Sequence, residues 1–233
     1  GIDDYLATAE DEAEYITREE LHSSNYVVKD KTVIHLAAKV GGVKANTEQM
    51  CDFYTENSII NQRVLGHACT EGAEKVVSLL STCIYPDAHH VTYPITEKQL
   101  HLGPPHTSNY GYAYAKRMVD VMSRAYRQQY GCNFITAIPN NLYGENDNFH
   151  LEDSHVIPAL MRKIWEAKIH GIDHVECWGT GQPLREFTYS QDIVKILLFL
   201  LDRYDDETPI NIGNTEEYSI EEVVGMLCDI LDY

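Results

Sequence analysis

The sequence predicts an α/β fold whose core is a doubly wound parallel sheet with helices on both faces. Three observations predict it. Short apolar runs, "TVIHLAA" (32–38), "KVVSLLS" (75–81) and "NFITAIP" (133–139), recur along the chain. Each run is continuous rather than alternating, as in a strand buried on both faces. Longer segments with helical spacing separate them, and strands alternating with helices imply right-handed crossovers.

The elements follow in order. Residues 1–30 carry nine carboxylates against Arg18 and Lys29, which reads as a solvated or disordered lead-in. The run 32–38 is the first strand. Ile60, Val64 and Ala68 recur at four-residue spacing on the helix that follows. The run 75–81 is the second strand. Met118, Val119, Met122, Ala125 and Tyr126 form an apolar stripe on the next helix, and 133–139 is the third strand.

After Tyr143-Gly144 the character changes. A polar loop, "ENDNFHLEDSH", leads into a helix over 156–167, and "HVECW" (174–178) reads as a short strand. "DIVKILLFLLDRY" (192–204) is apolar enough to be a helix packed deep, and "PINIG" (209–213) reads as another strand. The final helix starts at Ser219 with Glu222 three residues on, a capping box. The chain thus divides into 1–143, which carries the main sheet, and 144–233, a smaller substrate domain. About 189–213 of the latter returns to the sheet.

Composition narrows the function classes. The chain has 233 residues, 44% hydrophobic and 23% charged, an ordinary globular balance. A formal charge of −18 argues against nucleic acid or an anionic membrane as partner. No run approaches the ~20 apolar residues of a membrane helix, and no signal-peptide pattern or Asn-x-Ser/Thr site occurs. Six cysteines, at 51, 69, 83, 132, 177 and 228, form no C-x-x-C pair. They read as reduced thiols of a cytoplasmic protein. The pair His89-His90 has no partners at zinc spacing, so no metal site is expected.

Two clusters carry chemistry. The second strand ends abruptly in two hydroxyls and a thiol, Ser81, Thr82 and Cys83, before Pro86. A buried structural cysteine is the ordinary reading; the alternative is the rim of an active site. In "YGYAYAK", Tyr112 and Lys116 are four residues apart, on one helix face and ~6 Å apart along the axis. A lysine ammonium beside a phenol lowers the phenol's pKa and lets it exchange a proton near neutral pH. Spacing alone fits a surface Tyr–Lys contact equally well. A serine at the end of the preceding strand can bind the same substrate oxygen, and Ser81 is placed to do so.

Ser81, Tyr112 and Lys116 on this alternating pattern resemble the short-chain dehydrogenases/reductases. "HLAAKVGG", Asn57, "PNNLYG" and "WGTGQPLREF" resemble the extended, sugar-nucleotide branch. "STCIYP", "PNNLYGENDNF", "SHVIPAL" and "WGTGQPLRE" together resemble the GDP-L-fucose synthase family, from about Lys31 to Tyr233. The resemblance implies a Rossmann-like fold, NADP(H) as cofactor, and a homodimer formed through a bundle that includes the Tyr112 helix. The implied reaction is 3,5-epimerisation of GDP-4-keto-6-deoxy-D-mannose followed by reduction of its C4 ketone. Cys83 matches the family's base and His155 its acid. Ser81 polarises the oxygen, Tyr112 protonates it, and Lys116 tunes Tyr112 and holds the nicotinamide ribose.

The resemblance also implies a cofactor-lining set: Leu79, Leu80, Ser81, Thr82, Lys116, Pro139, Asn140, Asn141, Leu142 and His155. Lys163, Trp178 and Arg185 match substrate-binding positions, where cations grip the diphosphate. Taken alone, Arg185 reads as an ion pair with Glu186 or Asp192. Related 4,6-dehydratases place an Asp-Glu pair where this chain has Cys83-Ile84, which leaves water elimination without an acid.

The chain departs from the family at both ends. No G-x-x-G-x-x-G turn precedes "TVIHLAA", so the first βα unit is missing, and the family's last segments have no counterpart after Tyr233. The missing strand would be central in the sheet, so the expectations are an unpaired apolar edge on the parallel sheet and weak or absent NADP(H) binding. Two alternatives stay open beside the family's reaction: another nucleotide-sugar epimerase or reductase of the extended branch, and a non-catalytic binding or dimerisation remnant.

Overall fold

In a computed structural model the described residues are 13–23, 26–151 and 154–233. The main sheet holds four parallel strands: β1 (Thr32–His35), β2 (Lys75–Leu79), β3 (Phe134–Pro139) and β6 (Ile210–Ile212), in the order β1-β2-β3-β6. A second sheet holds β4 (Asn141–Tyr143), β5 (Leu184–Tyr189) and β7 (Glu217–Ser219), in the order β4-β5-β7. The helices are α1 (Arg18–Ser23), α2 (Val43–Glu48), α3 (Met50–Glu71), α4 (Tyr110–Tyr130), α5 (Val156–His170), α6 (Ser190–Arg203) and α7 (Ile220–Leu231).

The continuous apolar runs are explained by burial on both faces. Val76, Phe134 and Ile138 join Leu65 and Val119 in one core under α3 and α4. Their neighbours Val77, Ile135 and Ala137 point the other way, onto Ile193, Leu197 and Leu200 of α6. A third core, Leu160, Ile164, Phe187, Val223 and Leu227, joins α5, β5 and α7. The Lys75 ammonium ties α6 to the main sheet by donating to the carbonyls of Leu200, Leu201 and Tyr204 at 3.0, 2.6 and 2.7 Å. A cation there satisfies the last carbonyls of the helix and its negative dipole end.

Several expectations are corrected. Residues 174–178 form no strand. Val175 and Cys177 do turn inward on the third core, but among the described residues no strand pairs with them. β1 stops at His35 and β2 at Leu79, short of the expected ends, while α5 continues to His170. The stripe on α4 is split: Val119, Met122 and Tyr126 face the core, whereas Met118 and Ala125 face outward. Only one side of α6 is deep, since Val194 and Phe199 are exposed. Residues 1–12 of the acidic lead-in lie outside the described residues. Within the described part of the lead-in, Leu21 packs against Ile60 and Val64, and Val28 joins the first core. Among the described residues no strand pairs with the outer side of β1, and Ile34 within it and Leu36 just after it are exposed.

Candidate active site

The site starts at the carboxyl end of β2, where open α/β sheets place their ligands. Leu80 N–H donates to Ala137 O at 2.8 Å, the last tie to β3. Ser81 is extended (φ −162°, ψ 149°) and leads into a 3-10 turn over Thr82–Ile84. The N–H groups of Ile84 and Tyr85 close this turn on the carbonyls of Ser81 and Thr82, both at 3.1 Å. Ile84 is an anchor in the first core, so Cys83 is held at the rim, partly buried beside Ser81.

α4 carries the other half. Gly111 lets its first turn come close to α3: a Cβ there would stand 2.2 Å from Met50 O. Phe53 of α3 meets the Tyr112 ring edge-on, with centroids 6.3 Å apart and planes at 84°. One turn on, Lys116 Nζ donates to Leu79 O at 2.9 Å, and its aliphatic stem is buried. Behind the helix, His35 Nε2 is 3.1 Å from Asn61 Oδ1, and Asn61 Nδ2 donates to Ala115 O at 3.1 Å. Asn57, fully buried, accepts from Lys39 N at 2.9 Å and donates to Lys39 O at 3.0 Å, which fixes the loop after β1.

Burial governs the proton affinities. It pushes the Cys83 thiol up to about 11, and Ser81, Lys116 and Arg117 pull the other way. It drops Lys116 to about 8, an effect that Cys83 opposes. Tyr112 was expected below its ordinary value because of Lys116. Instead burial, reinforced by Cys83, holds it well above. The reason is geometric: the Lys116 ammonium is engaged with Leu79 O, and the phenol is desolvated against Phe53. A raised phenol pKa suits a proton donor to an oxyanion better than a resting phenolate.

The structure therefore brings Ser81, Tyr112 and Lys116 each within reach of Cys83, with Leu79, Leu80 and Thr82 along the same segment. Pro139 ends β3 next to them, and Asn140, Asn141 and Leu142 lead into the second sheet. Asn140 binds inward: Thr188 Oγ1 donates to its Oδ1 at 2.6 Å and its Nδ2 donates to Asn214 O at 2.7 Å. Asn141 donates to Glu186 O at 2.9 Å, and Leu142 packs toward the α6 core. These side chains join the two sheets.

His155 is the N-cap residue of α5 and is exposed. Lys163, two turns into α5, lies 4.8 Å from the ring centroid of Trp178, itself 74% exposed. Arg185 is exposed on β5 and donates to Leu184 O at 2.7 Å. The two carboxylates offered as its ion-pair partners are engaged elsewhere, Glu186 by Asn140 and Asp192 by Lys195. Two cavities, about 660 Å³ around His89–Gln99 and about 310 Å³ around Tyr143, Tyr189 and Asp192, include none of the predicted site residues. Among the described residues no cluster of His, Cys, Asp and Glu could hold a metal.

Sequence reasoning missed His35, Asn61, Phe53 and Arg117. For Arg117 a signal existed, a second cation directly after Lys116 inside an apolar helix.

Comparison with known proteins follows the same lines. Residues 14–213 match the NAD dependent epimerase/dehydratase family. A GDP-L-fucose synthase of Dictyostelium discoideum is 44% identical over 219 residues, covering 93% of this chain and 68% of that protein. A putative GDP-L-fucose synthase 2 of Arabidopsis thaliana is 38% identical over 233 residues, 100% of this chain and 70% of that protein. Among solved structures, a GDP-L-fucose synthetase of Naegleria fowleri bound to NADP superposes with a TM-score of 0.79 at 41% identity. That match covers 87% of this chain and 62% of the Naegleria chain, so the chain spans about two thirds of the length of its relatives.

Proposed function

The chain belongs to the NAD dependent epimerase/dehydratase family and, within it, to the GDP-L-fucose synthases, and on that premise we propose that it converts GDP-4-keto-6-deoxy-D-mannose to GDP-L-fucose with NADP(H). One observation carries the reading. A thiol, a phenol, a hydroxyl and an ammonium converge at the end of β2, where the turn over Thr82–Ile84 meets α4.

The ring protons at C3 and C5 are acidic because they flank the C4 ketone. Cys83 as thiolate takes one of them, and the electron pair moves onto the ketone oxygen. Ser81 and Tyr112 donate hydrogen bonds to that oxygen as charge develops, the moment at which fixed donors stabilise most. His155 delivers a proton to the opposite ring face, which inverts the carbon. NADPH, when bound, supplies hydride to C4. Tyr112 then gives its proton to the resulting alkoxide, and a phenol of raised pKa keeps that proton until the alkoxide forms. Lys116 restores charge balance beside it.

The donor set fits the nicotinamide end of the cofactor. The Lys116 ammonium has three donors and gives one to Leu79 O, which leaves two for ribose hydroxyls. The residues that would hold this end are Leu79–Thr82, Lys116 and Pro139–Leu142. The chain contains no G-x-x-G-x-x-G turn to seat the pyrophosphate. The substrate diphosphate falls to Lys163 and Arg185, with Trp178 beside Lys163, on the part formed by 144–188 and 214–233. Met118 and Val121, exposed on α4, supply an apolar face for the second protomer of a homodimer.

Incubation with GDP-4-keto-6-deoxy-mannose in D2O, without cofactor, tests the first half-reaction. Deuterium enters C3 and C5 with the wild-type chain and not with the Cys83→Ser, His155→Asn double variant. NADPH oxidation with formation of GDP-L-fucose tests the second half. Exchange that persists in the double variant removes the assigned pair. A folded wild-type chain that neither exchanges nor reduces at any pH ends the enzymatic reading.

A further inference from the structure

Arg117 stands out among the buried groups left without a role. It is 5% exposed, and among the described residues no carboxylate pairs with it. A buried guanidinium without an anion is costly unless its donors are met and its charge has a use. Its donors are met by backbone. Nε donates to Ile84 O at 2.7 Å, Nη2 donates to the same oxygen, and Nη1 donates to Gly103 O at 2.7 Å. Its other face lies over the Tyr114 ring, 5.3 Å from the centroid. Ile84 is the residue after Cys83. The guanidinium therefore grips the far peptide of the turn that carries the thiol, from the helix that carries Tyr112 and Lys116.

We propose that Arg117 is a positioning residue for Cys83, clamping the Thr82–Ile84 turn to α4 and presenting a permanent positive charge to the thiolate. The proposal rests on the assignment of Cys83 as the base that takes the carbon-bound proton. The side chains that act on this thiol are Ser81 from its own turn and Lys116 and Arg117 from α4, while the thiol in turn raises Tyr112 on the same helix. Ser81, Lys116 and Arg117 favour the thiolate. Burial drops Lys116 to about 8, so its charge is lost as pH rises through that value. The Arg117 charge is the one that stays on at every pH a protein tolerates. A lysine at 117 keeps a charge there but cannot bond one carbonyl through two nitrogens while reaching a second carbonyl.

The test separates clamp from charge. Cys83 alkylation by iodoacetamide is followed against pH by peptide mass spectrometry, which needs no substrate. In Arg117→Gln the midpoint rises by about one pH unit or more relative to wild type, the size of shift that follows loss of a nearby opposite charge. In Arg117→Lys the midpoint returns to within about half a unit, while C3/C5 deuterium exchange falls about tenfold or more because the turn is no longer held. Gln and wild-type midpoints that coincide in folded protein overturn the charge. An Arg117→Lys chain that exchanges at the wild-type rate overturns the clamp. If Arg117→Gln does not fold, the Lys variant decides: a wild-type midpoint with slow exchange supports the proposal, and any other pair of results rejects it. Wild-type protein that fails to exchange deuterium indicts the substrate assignment instead, and the alkylation midpoints still judge the link between Arg117 and Cys83.

Discussion

His35 Nε2 stands 3.1 Å from Asn61 Oδ1, fully buried behind the helix that carries Tyr112 and Lys116. Because Asn61 Nδ2 is committed to Ala115 O, its Oδ1 must face the imidazole, so Nε2 carries a proton. Burial, with the Lys116 charge adding to it, lowers the imidazole from 6.5 to about 4.

This pair predicts acid sensitivity. An unfolded histidine takes a proton below about 6.5, whereas the native one stays neutral to about 4. The unfolded state binds more protons in that window, so stability is full above it and falls as pH drops through it. The loss approaches about 3 kcal/mol near pH 4. Urea titrations of wild type and His35→Gln at about pH 4.5 and 7.5 check it. An equal pH slope in the two proteins removes His35 as the cause.

Gly111 predicts a packing effect with a functional readout. Alanine is the better helix former by about 1 kcal/mol. Its Cβ, however, would stand 2.2 Å from Met50 O, a backbone atom that cannot swing aside. Overpacking at about 1–3 kcal/mol wins. Gly111→Ala is therefore expected to lose stability and to slow ketone reduction, because Tyr112 follows directly. A variant as stable as wild type would mean that α3 and α4 separate freely.

Lys75 predicts the strength of the link between α6 and the main sheet. Lys75→Met keeps the stem and deletes three charge-assisted bonds to Leu200, Leu201 and Tyr204. Bare helix carbonyls near a buried methyl group cost about 2–3 kcal/mol. Denaturant midpoints measure this. A change under about 0.5 kcal/mol would place those carbonyls in contact with water.

Lys163 and Trp178 give an optical test of nucleotide binding. The ammonium lies 4.8 Å from the indole centroid. A diphosphate that recruits Lys163 leaves the ring in a new environment, so GDP changes the emission of wild type and not that of Trp178→Phe. Lys163→Met weakens GDP binding about tenfold, ~1.4 kcal/mol. Unaltered affinity in that variant would move the diphosphate elsewhere.

The central strands were legible because burial on both faces writes an uninterrupted apolar run, as Val76-Val77 and Phe134-Ile135 show. The capping box at Ser219 was legible because both partners lie within one turn. Residues 174–178 misled for the converse reason. Their alternation reports inward side chains, whereas a strand also needs a neighbouring backbone, and that neighbour is chosen by the whole fold. β4, β5 and β7 are three to six residues long, and their pairing partners lie up to 46 residues away between β4 and β5.

The site divides in the same way. By itself the sequence determined which chemical groups are present and which are close along the chain: Ser81 with Cys83 on one turn, Tyr112 with Lys116 on one helix face. Only the tertiary structure decided what those groups experience. It sent the Lys116 ammonium to Leu79 O, desolvated Tyr112, buried His35 as a neutral ring and set Arg117 on Ile84 O. The physical reason is that proton affinity and hydrogen-bond satisfaction depend on atoms brought together across 26 to 37 positions of chain. A local spacing rule contains neither the carbonyls nor the burial that fix them.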